Sequence, residues 1–193
     1  MDNKCWYETN IEFDKNFTID KLPKINEGEW YDKEGIWKQP LGEVFSEEWN
    51  THLKDLGFSM WPWVLMFYRR PHYYAQRAHV DLQDTVCGIN WVIGGSDSHM
   101  IWYKKTGVTQ ERDALTSVAF TPYLSWPVNE LEEIERHTLS RTKITLVRVD
   151  IPHAIEVRSE DRWGISVRPK GKTFRTWEDT IDYFRSKNLL IER

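Results

Sequence analysis

Short apolar stretches alternating with polar positions dominate the chain between residues 61 and 170. VLMFY, AQRAHVDL, TVCGINWVI, HMIWYKK, ITLVRVDI and RWGISVR are rich in β-branched and aromatic residues, and turn-like pieces such as RRPH, GGSDS and KKTG separate them. Period-two patterning with that punctuation predicts β-strands. VNELEEIERHTL permits a helical turn through Leu131 and Ile134, but we assign it to a strand. A helical period occurs in two places. Ser46 is an N-cap followed by Glu47 and Glu48, Trp49, Leu53 and Leu56 fall on one face, and Gly57 stops the helix. Thr176-Trp177-Glu178-Asp179 matches a capping box, after which Trp177, Ile181 and Phe184 form the apolar stripe of a final helix. The pattern predicts one mainly β domain with flanking helices, a sandwich or small barrel. Residues 1–45 are polar, punctuated by aromatics, proline and glycine, and are expected to lie over the core through Trp6, Trp30 and Trp37.

Composition narrows the class. A length of 193 residues suits a single core, and 29% charged residues describe an ordinary globular protein. The 11 tryptophans stand out, and most are expected in the core. A net charge of −4 provides no general basic field, so no extended nucleic-acid footprint is expected. No apolar run is long enough for a membrane span, and MDNKCWYETN lacks a secretory signal's apolar stretch. Cys5 and Cys87 fit neither a disulfide framework nor a zinc site. A cytoplasmic setting is the simplest expectation.

Candidate chemistry begins with His79-Val80-Asp81. With 6 His and 13 Asp in the chain, a chance His-x-Asp is common, so the triplet alone decides nothing. In a strand, however, residues i and i+2 share a face, so His79 and Asp81 can grip one ion. His153, after an apolar strand and Pro152, is the best third ligand, expected at a strand junction. Two imidazoles and one carboxylate form the facial triad that suits non-haem Fe(II).

RWGISVR adds a second component. Arg162, Gly164, Ser166 and Arg168 share one face of the expected strand, and Trp163, Ile165 and Val167 share the other. The apolar face can pack against helices. The polar face presents a guanidinium fork beside a hydroxyl, with room left by Gly164, which suits a carboxylate.

The ordered set His79-x-Asp81, His153, then Arg162 with Ser166 four residues on resembles the Fe(II)/2-oxoglutarate-dependent dioxygenases, most closely the prolyl-hydroxylase type. The resemblance covers roughly residues 60–170 and rests on the set rather than on any single piece. It implies a double-stranded β-helix (jelly-roll, cupin-like) core over 60–170. An N-terminal extension and supporting helix would occupy 1–59, and a C-terminal helix 171–193. It implies Fe(II) held by His79, Asp81 and His153. The far carboxylate of 2-oxoglutarate would lie on Arg162 and Ser166, with Arg168 the alternative arginine. A tyrosine before the His-x-Asp pair would touch the cosubstrate, either Tyr68 or its rival Tyr74, and Asn90 would stand in for a second tyrosine. The implied activity is hydroxylation, or another oxidation, of a C–H bond with O2, releasing succinate and CO2. No catalytic side chain is assigned beyond the metal ligands. The substrate is a small molecule or a protein side chain, entering past His72-Tyr73-Tyr74 or Trp102-Tyr103. The alternative is a non-catalytic β-sandwich or cupin-like module that binds a small ligand or peptide.

Overall fold

Strand β13 (Arg162–Lys170) sets the layout, because it is buried on both faces over almost its whole length. Its odd-numbered residues Trp163, Ile165 and Val167 belong to the main apolar cluster. Its even-numbered Arg162, Gly164, Ser166 and Arg168 line a cavity instead. The alternation seen in the sequence is thus a division between core and site. The computed structural model describes residues 4–25, 35–81, 84–106, 115–116, 122–139 and 141–192.

In chain order the strands are β1 (Trp6–Glu8), β2 (Ile36–Pro40), β3 (Ser59–Arg69), β4 (Tyr73–Tyr74), β5 (Arg77–Asp81), β6 (Cys87–Gly94) and β7 (His99–Lys105). There follow β8 (Leu115–Thr116), β9 (Pro122–Pro127), β10 (Leu131–His137), β11 (Thr145–Arg148), β12 (His153–Val157) and then β13. The helices are α1 (Leu41–Val44), α2 (Glu47–Asp55) and α3 (Trp177–Ser186). The strands form two antiparallel sheets. The first has the order β1-β11-β6-β13-β3-β2, and the second β10-β7-β12-β5-β9-β8, with β4 paired to β12.

Helices α2 and α3 cover the outer face of the first sheet. Trp49 and Leu53 from α2, with Trp177, Ile181 and Phe184 from α3, pack in one cluster with Val64, Met66, Tyr68 and Ile165. Both helices start as their sequences predict. Ser46 Oγ accepts from Trp49 N–H, and Thr176 Oγ1 accepts from Asp179 N–H, each at 3.2 Å. Such caps contribute about 1 kcal/mol each. Gly57, just beyond α2, has φ +89, a conformation that favours glycine. Val92 and Val147 of the first sheet meet Met100 and Trp102 of the second, so part of the space between the sheets is filled. The rest is the cavity. No helix of the described residues is long and apolar enough to cross a membrane.

Two sequence expectations change. Residues 1–45 do more than lie over the core: β1 and β2 are the two edge strands of the first sheet. Trp6 stacks on His137 at 3.2 Å between ring centroids, and Trp37 packs on Trp163 at 5.2 Å. Trp30 lies outside the described residues. His153, expected at a strand junction, opens β12 shortly after β11 ends at Arg148. PYLSWP, not recognised as a strand, forms β9, because its two prolines sit at the ends of the strand and remove few ladder bonds.

Candidate metal centre

His79 and Asp81 alternate with Ala78 and Val80 along β5, which puts the two polar side chains on one face. Ala78 is fully buried on the other, in a cluster with Ile101, Tyr103 and Ala154. Antiparallel register sets His153 of β12 directly beside His79. One ligand-type atom from each of His79, Asp81 and His153 lies within 4.8 Å of the other two. The imidazoles are 4.4 Å apart between centroids, and His79 Nε2 is 3.6 Å from Asp81 Oδ1.

Electrostatics prepare these groups as ligands. Burial and the neighbouring His153 pull the His79 pKa down to about 3, so its imidazole is neutral near pH 7. Burial also lowers the pKa of His153, which is 4% exposed. Its Nδ1 lies 2.9 Å from the Ile151 carbonyl, which can only accept, so Nδ1 donates and Nε2 keeps its lone pair. Burial opposes the charge on Asp81, but Arg168, His79 and His153 outweigh it and hold the carboxyl below its usual range. Arg168 Nη2 donates to Asp81 Oδ2 at 2.6 Å. The arrangement offers two neutral nitrogens and one carboxylate on neighbouring strands, a donor set for one divalent ion.

A cavity of about 360 Å³ opens beside these three residues. Its opposite wall is the polar face of β13. Arg162 is 3% exposed and has no hydrogen-bond acceptor or carboxylate partner among the described residues. Burial and the adjacent Arg69 pull its pKa down to about 9. It therefore stays charged at neutral pH, and a buried guanidinium without an anion is costly. Ser166 Oγ and Asn90 Oδ1 are likewise buried without partners among the described residues, and so are Nε and Nη1 of Arg168. Gly88 makes the room for this group: a Cβ there would come within 2.5 Å of Arg168 Nη1 and 2.8 Å of Asn90 Oδ1. Gly164 does the same for Arg162, whose Nη1 would lie 2.9 Å from an added Cβ.

The structure gathers most of the candidates from the sequence. His79, Asp81, His153, Arg162, Ser166, Asn90 and Arg168 all line one cavity. Tyr68 does not. Its position on β3 is opposite Trp163, on the outer face of the sheet, and its ring packs on that tryptophan at 5.1 Å. A one-residue difference in register is enough to turn a strand residue away from a site. Tyr74 lines the cavity and is 53% exposed. Tyr73 of the same short strand also lines the cavity. Trp102 and Tyr103 are buried, and Trp102 Nε1 donates to the Arg148 carbonyl at 2.9 Å.

Among the cavity residues that the sequence reading does not single out are Arg69, Arg77, Tyr123 and Ser125. Arg77 was legible, since it stands two residues before His79 on the same face of the same strand. Tyr123 and Ser125 were not, because they depend on β9. Arg69 required the pairing of β3 with β13, which sets it opposite Arg162.

No protein-family model matches the chain, and no curated protein matches it.

Proposed function

We propose that the chain is a non-haem Fe(II)- and 2-oxoglutarate-dependent dioxygenase that hydroxylates, or otherwise oxidises, a C–H bond and releases succinate and CO2. The observation that carries this proposal is one cavity with two complementary walls. One wall presents His79, Asp81 and His153, and the other presents the buried Arg162, which has no anionic partner among the described residues. The strand arrangement is compatible. Strands β3, β6, β11 and β13 fall in one sheet and β5, β7, β10 and β12 in the other, the interleaving of a double-stranded β-helix.

The donor set fits Fe(II). Two neutral imidazoles and a carboxylate would hold it while leaving positions for exogenous ligands. Bound iron supplies the activation of O2 that side chains alone cannot. The chain's own residues bind and orient. Arg162 would receive the far carboxylate of 2-oxoglutarate through its guanidinium, with the Ser166 hydroxyl and the Asn90 amide completing the contacts. Arg168 holds Asp81 ionised and in place, as partners of ligating carboxylates do. Its engagement with Asp81 favours Arg162 over Arg168 as the arginine for 2-oxoglutarate. No side-chain acid or base is required.

The test combines binding and turnover. Mn(II) should bind one ion per chain, and Asp81→Asn should lose it. Arg162→Leu should raise the dissociation constant of 2-oxoglutarate at least tenfold, since losing a charged hydrogen bond costs about 1.5–3 kcal/mol. Arg168→Leu should raise it less. Fe(II)-loaded protein should release succinate from 2-oxoglutarate. Stoichiometric metal on the Asp81 variant, or 2-oxoglutarate binding indifferent to Arg162, would contradict the proposal. Ligand binding that needs no metal would favour a non-catalytic module.

A further inference from the structure

The cavity's charge is opposite to that of the protein. The chain carries a net −4, yet among the described residues four arginines (69, 77, 162 and 168) and a single carboxylate, Asp81, line the cavity. Arg168 is matched by Asp81 and, on the proposal above, Arg162 by 2-oxoglutarate. Arg69 and Arg77 remain; Arg69 turns Nη1 to the carbonyls of Tyr68 and Gly35 and stands beside Arg162, whereas Arg77 stands on the strand of the candidate metal ligands. It continues the face of His79 and Asp81 one pleat further along β5, about 6.6–7 Å from His79 along the strand. It has no carboxylate partner among the described residues, because its bonds go to Ser125 alone. Nε donates to Ser125 Oγ and Nη2 to the Ser125 carbonyl, both at 2.9 Å.

Those two bonds use one edge of the guanidinium and fix its plane. The end-on edge, Nη1 with the second hydrogen of Nη2, is left as a two-donor fork, and a planar carboxylate meets such a fork with two parallel bonds. Tyr73 and Tyr74 line the same cavity and offer flat apolar surface for the remainder of a ligand. The volume, about 360 Å³, is at the low end for a small-molecule site and must hold cosubstrate as well as substrate.

We infer that the substrate is a compact carboxylic acid whose carboxylate docks on Arg77, which sets the C–H bond to be oxidised at the neighbouring His79–Asp81–His153 centre. This rests on the dioxygenase proposal and adds the substrate class. A cationic side chain is disfavoured by the surplus of guanidinium charge. Because Ser125 holds Arg77 from behind, little side-chain entropy is lost when the acid binds.

The experiment measures succinate release by Fe(II)-loaded protein with a panel of proteinogenic amino acids and short mono- and dicarboxylic acids. Each acid is run against its primary amide, and phosphoserine and glycerol phosphate form a phosphate arm. At least one acid should stimulate turnover, with its amide about tenfold poorer. Arg77→Gln should raise the KM of that acid about tenfold and erase most of the acid–amide difference. Its dissociation constants for Mn(II) and 2-oxoglutarate should stay within about twofold of wild type, which also shows that the variant folds. Turnover of amides, cations or phosphate esters in place of acids overturns the inference. So does an acid preference that survives in Arg77→Gln, or a panel without any stimulating acid while Mn(II) and 2-oxoglutarate still bind. If wild type binds neither Mn(II) nor 2-oxoglutarate, the dioxygenase proposal falls first and takes this one with it.

Discussion

Arg168 of β13 reaches from the first sheet to the second and donates to Asp81 Oδ2 of β5 at 2.6 Å. Both side chains are at least nine-tenths buried, so the pair ties the two sheets together where the candidate metal would sit. Removing one partner of a buried pair costs about 3–5 kcal/mol, because the other charge is left without compensation. Arg168→Met should therefore lower the Tm of the metal-free protein markedly. A divalent ion replaces the lost positive charge beside Asp81, so Mn(II) should raise the Tm of the variant by more than that of wild type. Thermal unfolding with and without Mn(II) checks both.

Gly164 leaves the space into which the Arg162 guanidinium folds. Gly164→Ala puts a methyl group 2.9 Å from Arg162 Nη1, and the flexible end of the arginine must move. The expected result is 2-oxoglutarate binding weakened about tenfold, equivalent to about 1.4 kcal/mol, with metal stoichiometry unchanged. Calorimetric titration of the Mn(II) form measures it.

Tyr68 lies on the outer face of the first sheet against Trp163, away from the cavity. Tyr68→Phe should leave 2-oxoglutarate binding within twofold of wild type. Stability should fall by about 0.5–1.5 kcal/mol through loss of the hydroxyl's hydrogen bond to Asp161. A tenfold loss of 2-oxoglutarate affinity would return Tyr68 to the site.

His137, stacked on Trp6, has its pKa lowered to about 4 by burial, Lys4 and His99. Folded protein keeps this imidazole neutral at pH values where the unfolded chain, with an ordinary value of 6.5, has already bound a proton. The unfolded state then holds more protons, so stability is full above pH 6.5 and falls as the pH drops from 6.5 to 4. His79 and His153 shift in the same direction. Denaturant unfolding across that range should show the decline, and His137→Phe should reduce its slope.

Local pattern alone was sufficient for several features. The alternation in RWGISVR separated cavity face from core face, because a strand's side chains point to opposite sides with period two. Ser46 and Thr176 announced their helices, since a cap is satisfied within its own first turn. His79 and Asp81 were on one face for the same reason of period. Long-range pairing decided the remainder. His153 stands beside His79, and Arg69 opposite Arg162, only through the registers of β12 with β5 and β3 with β13. Tyr68 was misplaced by one step of register, and Tyr123 and Ser125 came with a proline-bounded strand that no periodicity announces. The ion pair of Arg168 with Asp81 joins residues 87 positions apart and exists only because the two sheets face each other. Periodicity belongs to the backbone and is written locally. Which face meets which depends on strand register and sheet order, and those follow from burying the whole apolar set at once.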